Sequence, residues 1–325
     1  MKLIIILMIF FFVFPLTLGE LTVGFYGFTC PQAESIVSEV VQSYYQNDNT
    51  IVAALLRLHY HDCIVDGCDA SILIDPTKNR TSEKDAEANK TLRGFDLIDD
   101  AKSVLEEECP ETVSCADIIA IATRDAVALA NGKVYRVLTG RRDGLISNAS
   151  KALLIPGPFV NVSQALKFFN SKGLTLEDMV TLIGAHTVGC SKCSFFQNRL
   201  SSFNNGEIDP TMDPNLDAML VKKCGSFFNP IGNKTCVFLD QQTPFEFDNG
   251  FYNQIVENRG ILEIDQQLAL DPSSSDLVWS YARDNLRFWD NFEIAMRKMG
   301  SIGVLVGNEG EIRRNCRAFN FPLSY

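Results

Sequence analysis

Apolar residues recur every three or four positions along most of this 325-residue chain, a spacing that predicts α-helices. The first helix is predicted from Thr29 to Gln46 and the second from Ile51 to Asp62. Few segments alternate between apolar and polar residues, so we expect very little sheet. No repeat or linker divides the chain, which favours one mainly α domain over residues 20–325. Further helices are predicted over 114–131, 162–171, 175–185, 194–203, 214–223, 248–258, 275–282 and 286–299.

Several predicted helices begin with recognisable capping residues. Thr29 with Gln32, and Thr175 with Asp178, have the spacing of a capping box. Ser114 is the expected N-cap of the third helix, because its hydroxyl can accept a hydrogen bond from the first turn.

The first 19 residues have the pattern of a secretory signal peptide. Lys2 is followed by an unbroken apolar run from Leu3 to Phe14, and Thr17 and Gly19 supply small residues for cleavage. The alternative is an uncleaved membrane anchor, but the run is shorter than the roughly 20 residues that span a bilayer. We therefore expect no membrane association after the signal is removed.

Charge and cysteine content narrow the class of protein. A formal net charge of −11 provides no basic surface for nucleic acid. Ten cysteines behind a signal peptide indicate disulfide bonds formed in an oxidising compartment. The alternative is zinc, for which only Cys190 and Cys193 have close ligand spacing. Five sequons are candidate glycan sites, at Asn79, Asn89, Asn148, Asn161 and Asn233.

Only three histidines are present, so a catalytic imidazole must belong to His59, His61 or His186. Arg57 and His61 are four residues apart and share one face of the predicted helix, with Tyr60 beside them and His59 elsewhere. The neighbouring cation would keep His61 neutral and able to accept a proton. An arginine and a histidine that are merely hydrogen-bonded in the core are the alternative that this segment leaves open.

Hard oxygen atoms follow directly in the chain. Asp62, Asp69 and Ser71 flank a short loop that Cys63 and Cys68 can close, and such oxygens suit calcium. A polar surface turn is the alternative.

His186 closes a predicted apolar helix. Gly184 and Ala185 precede it, and their small side chains are expected to let a flat partner approach the backbone. A core histidine is the alternative, and it is the commoner state of a single histidine on an apolar face.

Taken in order, these segments resemble the secretory (class III) plant haem peroxidases. The resemblance is carried by LLRLHYHDCIVDGCDAS, VSCADIIAIATRDAV, TGRRDG and DMVTLIGAHTVG, and it extends from Val23 to Cys316. It implies a haem-peroxidase fold, with haem b between a distal and a proximal helical half. The implied enzyme is a peroxidase that reduces hydrogen peroxide and oxidises phenolic donors by single-electron steps.

The resemblance assigns roles to individual residues. Arg57 and His61 match the distal pair that cleaves the O–O bond, and Asn89 matches the residue that sets the tautomer of His61. His186 matches the axial ligand of the iron, and Asp265 matches the carboxylate that accepts the other N–H of that imidazole. Because Asn89 would then be buried, we expect its sequon to be unused.

The resemblance also implies two Ca²⁺ sites and a substrate entrance. Pro156 matches the proline-bearing lip of that entrance. Losing calcium should loosen the haem pocket, because each site flanks a haem-bearing helix. The first site is matched by Asp62, Val65, Gly67, Asp69 and Ser71, with Glu83 as its water-linked support, and the second by Thr187, Asp240, Thr243, Glu246 (through its carbonyl) and Asp248.

Four disulfide bonds are implied by the family pattern. They pair Cys30 with Cys109, Cys63 with Cys68, Cys115 with Cys316, and Cys193 with Cys224. Cys190 and Cys236 match none of these bridges, and we predict that they form a fifth.

Two residues depart from the family pattern. Tyr60 stands where the family has Phe over the haem, and a hydroxyl there can hydrogen-bond to peroxide or be oxidised itself. Tyr135 stands where many members carry Trp. Only nine residues follow Cys316, so we expect no long sorting tail and favour the extracellular space or cell wall. We also expect a monomer.

Two other classes of protein are alternatives to a secreted peroxidase. A catalytically silent binding protein on the same scaffold predicts the loss of distal or proximal groups, yet all of them are present. An intracellular peroxidase of the same superfamily is opposed by the signal peptide and the cysteines. Trp279 and Trp289 also lie outside the motif positions that this alternative requires.

Overall fold

The computed structural model describes residues 20–201, 209–226, 229–230 and 235–321. The predicted signal peptide at 1–19 and the sequon at Asn233 lie outside the described residues. Most of the described chain is helical. Its α-helices are α1 Ala33–Asn47, α2 Ile51–Val65, α3 Phe95–Glu108, α4 Cys115–Leu129, α5 Ala149–Ala152, α6 Val162–Ser171, α7 Leu176–Ile183, α8 Asn198–Ser201, α9 Pro214–Cys224, α10 Gly250–Val256, α11 Glu263–Leu270, α12 Ser275–Arg283 and α13 Asn285–Met299.

Sheet structure is confined to three short antiparallel pairs within the described residues. In the first pair Thr22 faces Thr139, in the second Ser191 faces Val237, and in the third Gly225 faces Pro230. The fold is therefore mainly α, which confirms the predicted class. The strands are β1 Thr22–Val23, β2 Leu138–Thr139, β3 Cys190–Lys192, β4 Gly225–Ser226, β5 Asn229–Pro230 and β6 Cys236–Phe238, and β1 pairs with β2, β3 with β6 and β4 with β5.

Helix α2 lies at the centre of the N-terminal half. It packs against α4, and α1 packs against both α3 and α4. Val52, Leu55 and Leu58 are fully buried, and apolar residues of α2 occupy most of its faces. A helix that is apolar on all sides is stable only inside a core, so the position of α2 follows from its composition.

The C-terminal half is built around α7 and an aromatic cluster. α7 packs against α13 and α6, while α10 packs against α12 and α11. The ring of Tyr252 lies 5.1 Å from the rings of Tyr281 and Phe288, centroid to centroid. A Cβ atom added to Gly184 would stand 2.1 Å from the Tyr252 hydroxyl. This glycine is therefore needed for packing against the cluster, and the approach of a flat partner to the backbone at Gly184 and Ala185 stays a prediction.

Two of the three predicted helix caps are present. Ser114 accepts a hydrogen bond from Asp117 N–H, and Thr175 and Asp178 form a reciprocal capping box. The capping box predicted at Thr29 is wrong, because α1 begins only at Ala33.

Sequence periodicity missed three helices, α3, the single turn α5 and α11, and it overextended a fourth. α3 carries a clear repeat in Leu97, Ala101 and Leu105, but its many acidic residues and Gly94 N-cap obscured the signal. α11 is a short segment that begins without a side-chain cap. Where a helix was predicted over 194–203, the structure has a 3-10 turn at Cys193–Phe195 and the single turn of α8.

All ten cysteines form disulfide bonds. The pairs are Cys30–Cys109, Cys63–Cys68, Cys115–Cys316, Cys190–Cys236 and Cys193–Cys224, which include the four family bridges and the predicted fifth. No thiolate is left to bind zinc at Cys190 and Cys193. In the described part of the chain, no helix is long and apolar enough to cross a membrane.

Candidate active site

Helix α2 places Arg57 and His61 on one face, one turn apart. The Arg57 guanidinium donates hydrogen bonds to the Ala88 carbonyl at 2.7 Å and to the Thr91 hydroxyl at 3.0 Å. These two partners, which sequence reasoning missed, hold the arginine against the loop that follows the 3-10 turn at Glu83–Asp85. The guanidinium therefore has a fixed position beside His61.

Asn89 fixes the tautomer of His61. The two side chains lie 2.6 Å apart, from Nδ1 of the imidazole to Oδ1 of the amide. The Asn89 amide nitrogen donates to the Glu83 carbonyl at 2.8 Å, so its oxygen must face the imidazole. An amide oxygen can only accept, and Nδ1 of His61 therefore carries the proton. This leaves Nε2 as a free base.

His61 is neutral at physiological pH. Burial and, to a smaller extent, the charge of Arg57 lower the pKa of its imidazole to about 3, although the hydrogen bond to Asn89 acts in the opposite direction. The predicted effect of the neighbouring cation is present, but loss of solvent is the larger cause. A neutral imidazole with a free Nε2 can accept a proton without first losing one.

Tyr60 lies next to His61 on α2. Its ring meets His61 edge-on at 5.7 Å and stacks on Phe169 of α6 at 6.2 Å, both measured between centroids. Among the described residues, none forms a hydrogen bond with its hydroxyl. Burial raises the pKa of this phenol, so it remains protonated and can donate a hydrogen bond.

His186 lies in a 3-10 turn, Gly184–Thr187, that continues α7. Its Nδ1 lies 2.8 Å from Oδ1 of Asp265, a buried carboxylate on α11. Because Nδ1 donates to the carboxylate, Nε2 is free to bind a metal, and the side chain is 34% exposed. The turn contacts α2, so the two histidine sites lie on elements that pack together.

The segment before Asp265 is held by two side chains that sequence reasoning missed. Buried Arg199 donates from Nη1 to the carbonyls of Gly260, Ile261 and Leu262 at 2.7–3.1 Å. Gln266 accepts from Gly260 N–H at 3.0 Å. The sequence alone does not indicate that Arg199 is buried, because its burial depends on partners that only the structure reveals.

The donor set fits a haem. An imidazole whose Nδ1 donates to a carboxylate and whose Nε2 is free is suited to bind the iron of a haem. On the adjoining helix, a neutral histidine and an arginine are suited to acid–base chemistry on a small ligand of that iron. The orphaned Nε2 of His186 and the unpartnered hydroxyl of Tyr60 are the kind of groups that such a cofactor and its ligand would occupy.

A buried cluster of carboxylates lies at the C-terminal end of α2. Asp62 Oδ1, Ser71 Oγ and both carboxylate oxygens of Glu83 have no hydrogen-bond partner among the described residues. Burial, together with repulsion between the carboxylates, raises the pKa of Asp62, and burial raises that of Asp69. Buried, unpaired acids are unstable alone, so this cluster fits a cation such as calcium.

Two backbone carbonyls of this predicted site have other partners. The Val65 carbonyl accepts from the Lys172 ammonium at 2.7 Å, and the Gly67 carbonyl accepts from Asp69 N–H at 2.9 Å. A carbonyl has two lone pairs, so each can still bind a cation.

The second predicted calcium site is also assembled. The Thr187 hydroxyl lies 3.1 Å from Asp248 Oδ1, and the Thr243 hydroxyl lies 3.0 Å from Asp240 Oδ2 and 3.2 Å from Asp248 Oδ1. Burial, with Asp248 as a weaker cause, raises the pKa of Asp240. The Glu246 carbonyl accepts from Asp248 N–H. Two carboxylates that face the same two hydroxyls fit a second hard cation.

Pro156 lies on a loop beside α11, the helix that carries Asp265. The next proline, Pro158, accepts a hydrogen bond from Ile264 N–H of α11, one residue from Asp265. Leu153, Leu154 and Phe159 on this loop are exposed. The loop therefore presents an apolar surface close to the histidine–carboxylate pair.

Comparison with known proteins agrees with this geometry. A model of the peroxidase family matches residues 37–284. The chain is 49% identical to Peroxidase 57 of Arabidopsis thaliana over 315 residues, which cover 97% of each chain. It is 50% identical to Peroxidase 44 of the same plant over 313 residues, or 96% of this chain and 97% of that one. Peroxidase 5 of Vitis vinifera is 45% identical over 306 residues, or 93% and 92%.

The helical fold has an arginine–histidine pair on one helix and a carboxylate-bound histidine on a neighbouring turn. These features together are those of a haem peroxidase. The chain belongs to the peroxidase family, as a member of the class III plant peroxidases. It is an enzyme that reduces hydrogen peroxide while it oxidises donor molecules. Membership implies haem and, as is typical of the family, calcium.

Proposed function

We propose that His61 is the general base and acid of peroxide cleavage. Its free Nε2 accepts a proton from hydrogen peroxide and returns it to the departing oxygen, which leaves as water. Arg57 donates hydrogen bonds to that oxygen as negative charge develops on it. Asn89 holds the imidazole in the tautomer that this transfer needs. The hydrogen-bond chain from His61 through Asn89 to Glu83 is the observation that supports these roles most directly.

The proximal side has a different task. His186 would bind the iron of haem b through Nε2, and the bound haem would supply the electrons for peroxide reduction and take single electrons from donors. Asp265 draws on the Nδ1 proton and makes the imidazole a stronger electron donor, which favours oxidised iron. Tyr60 would donate a hydrogen bond to peroxide on the distal side.

Two calcium ions are proposed to hold these elements in place. The first is bound by Asp62, Val65, Gly67, Asp69 and Ser71, with Glu83 in support, and it would fix the end of α2. The second is bound by Thr187, Asp240, Thr243, Glu246 and Asp248, and it would fix the turn that carries His186. In each case the cation would neutralise carboxylates, of which Asp62, Asp69, Glu83 and Asp240 are buried.

The proposed donors are small phenols. The exposed apolar residues around Pro156 suit a flat aromatic ring, and the family resemblance favours phenolic reductants. We further propose that residues 20–325 form a single domain, which is secreted as a monomer to the extracellular space or cell wall after residues 1–19 are removed. The exposed sequons at Asn79, Asn148 and Asn161 are suited to glycans.

The decisive experiment compares His61→Leu with the unmodified enzyme. A visible spectrum first establishes that both proteins carry haem, and turnover with a panel of phenols then follows. Loss of a positioned acid–base group should slow turnover by about 10²–10⁴-fold while the Soret band remains. Arg93→Leu, which removes an exposed arginine paired with Asp48, is the control and should keep its activity. Turnover of His61→Leu within about tenfold of the parent would refute the mechanism.

A further inference from the structure

A small cavity of about 10 Å³ lies behind α2, between that helix, α4, α13 and the segment that contains β2. Its polar lining comes from His59, Tyr135, Arg136, Arg141 and Arg297, and its apolar lining comes from Ala120, Val137, Leu138 and Met296. Its volume suits about one water molecule. The cavity is separate from the proposed peroxide site, because residues two apart on a helix point about 200° from each other and His59 therefore faces away from His61.

Two polar side chains in this cavity lack partners. His59 is 4% exposed and Tyr135 is 5% exposed. Both ring nitrogens of His59 and the hydroxyl of Tyr135 have no hydrogen-bond partner among the described residues. Buried polar groups are nearly always paired, with protein or with ordered water. A neutral imidazole and a phenol can each donate and accept, so they need a ligand that does both.

Three arginines line the cavity, of which Arg136 and Arg297 are exposed to solvent. The Arg141 guanidinium is already bound to Asp117 at 2.7 Å and to the Gly300 carbonyl at 2.6 Å. The arginine and the aspartate therefore neutralise each other, and neither faces the cavity as an unpaired charge. Water is the ligand that matches the volume of the cavity and the two hydrogen-bonding roles.

We propose that one water molecule links Tyr135 to His59, and that this pair is a second redox centre in which Tyr135 gives up one electron and its proton passes through the water to His59. The proposal rests on the peroxidase function. Hydrogen peroxide leaves the enzyme short of two electrons, and oxidation of Tyr135 returns one of them. The phenol becomes a neutral radical and His59 becomes an imidazolium, so charge and atoms balance.

Burial explains why the two residues must act together. It raises the pKa of Tyr135, so no phenolate is present to be oxidised directly. A cationic phenol would also be costly in this buried environment. Tyr135 therefore loses its electron only if it also loses its proton. Burial, and then Arg141, lowers the pKa of His59 to about 3, which keeps its lone pair free. An oxidised phenol is a far stronger acid than the imidazolium, so His59 can still accept its proton.

The location favours electron transfer and excludes substrates. One helix, about 10–12 Å across with its side chains, separates the cavity from the His61 face. An electron can cross that distance through the protein, whereas a cavity of about 10 Å³ has no room for a phenolic donor. Tyr135 would therefore store one oxidising equivalent away from the site where peroxide is cleaved.

The test is electron paramagnetic resonance of the haem-loaded enzyme, frozen soon after one equivalent of hydrogen peroxide is added. We expect a tyrosyl signal that Tyr135→Phe removes. Tyr281→Phe, a buried tyrosine whose hydroxyl is bound to Thr181, should keep it. His59→Gln, which can bind the water but accepts no proton, should form the radical at least about a hundredfold more slowly. A spin-trap adduct on Tyr135 in the unmodified protein, located by mass spectrometry, checks the assignment without any variant.

Each outcome has a clear meaning. A signal that survives in Tyr135→Phe, or is lost instead in Tyr60→Phe, overturns the proposal. Normal turnover of the unmodified enzyme without any tyrosyl signal overturns it too, and leaves the peroxidase mechanism intact. Absence of turnover in the unmodified, haem-loaded enzyme would refute the proposed function itself. A crystal structure without density for water between His59 and Tyr135 would contradict the proposed proton path.

Discussion

Removing calcium should destabilise the protein, and the loss should grow as pH rises. The reason is the carboxylate cluster at the end of α2. Burial, with repulsion from Asp69 and Asp66, raises the pKa of Glu83 to about 8. Without calcium, the folded protein keeps this proton up to about pH 8, whereas the unfolded chain releases it near the ordinary value of 4.5. Stability is thus fully present below that ordinary value and is lost as pH rises to about 8.

The magnitude follows from the difference between the two pKa values. At about 1.4 kcal/mol for each pKa unit, a change from 4.5 to about 8 amounts to about 5 kcal/mol of unfolding free energy. For a domain of this size, that corresponds to a fall of roughly 5–10 °C in Tm. Calcium binds the ionised carboxylates, so the calcium-loaded protein should lose much less over the same range.

The assay is thermal unfolding by calorimetry at pH 5 and pH 8. Calcium is first removed with a chelator, which is then dialysed away, and a second sample is reloaded with calcium. Glu83→Gln removes one titrating group and should reduce the pH dependence of the calcium-free form, while Asp62 and Asp69 keep part of it. Glu87→Gln, an exposed glutamate in the same segment, should leave it unchanged. A calcium-free protein whose Tm is constant or rises between pH 5 and pH 8 would refute the reasoning.

Three further results are expected. Asp265→Asn should raise the Fe(III)/Fe(II) potential in spectroelectrochemistry and lower activity roughly 10–100-fold, and an unchanged potential would contradict the proximal role. Replacing Cys190 and Cys236 by Ser should cost about 3–4 kcal/mol in denaturant unfolding, because their bridge closes a loop of 46 residues that Cys193–Cys224 already shortens, and equal stability would contradict this. Mass spectrometry should find no glycan on Asn89, which is 2% exposed and donates its amide to Glu83.

Local pattern was enough to predict much of the fold. The 3.6-residue period predicted α2, α6 and α13 closely, because long apolar faces have few stable alternatives. It also placed Arg57 and His61 on one face, since helix geometry alone decides which residues four apart are neighbours. The mainly α class followed from the same pattern.

Other features depended on contacts between distant parts of the chain. His186 and Asp265 are 79 residues apart and meet only because α7 and α11 are brought together, and no local period encodes that approach. The same is true of Arg199, whose partners at 260–262 became visible only in the structure. Family resemblance supplied the first pairing but gave no indication of the second.

The amino-acid sequence by itself determined the helices, the even set of cysteines, and the arginine and histidine on one face of α2. Tertiary structure decided what those residues face. Gly184 packs on Tyr252, and the buried carboxylates and the His59–Tyr135 cavity have unpartnered polar atoms. The physical reason is that periodicity depends on the bond geometry of neighbouring residues, whereas burial and desolvation depend on every segment that surrounds a group.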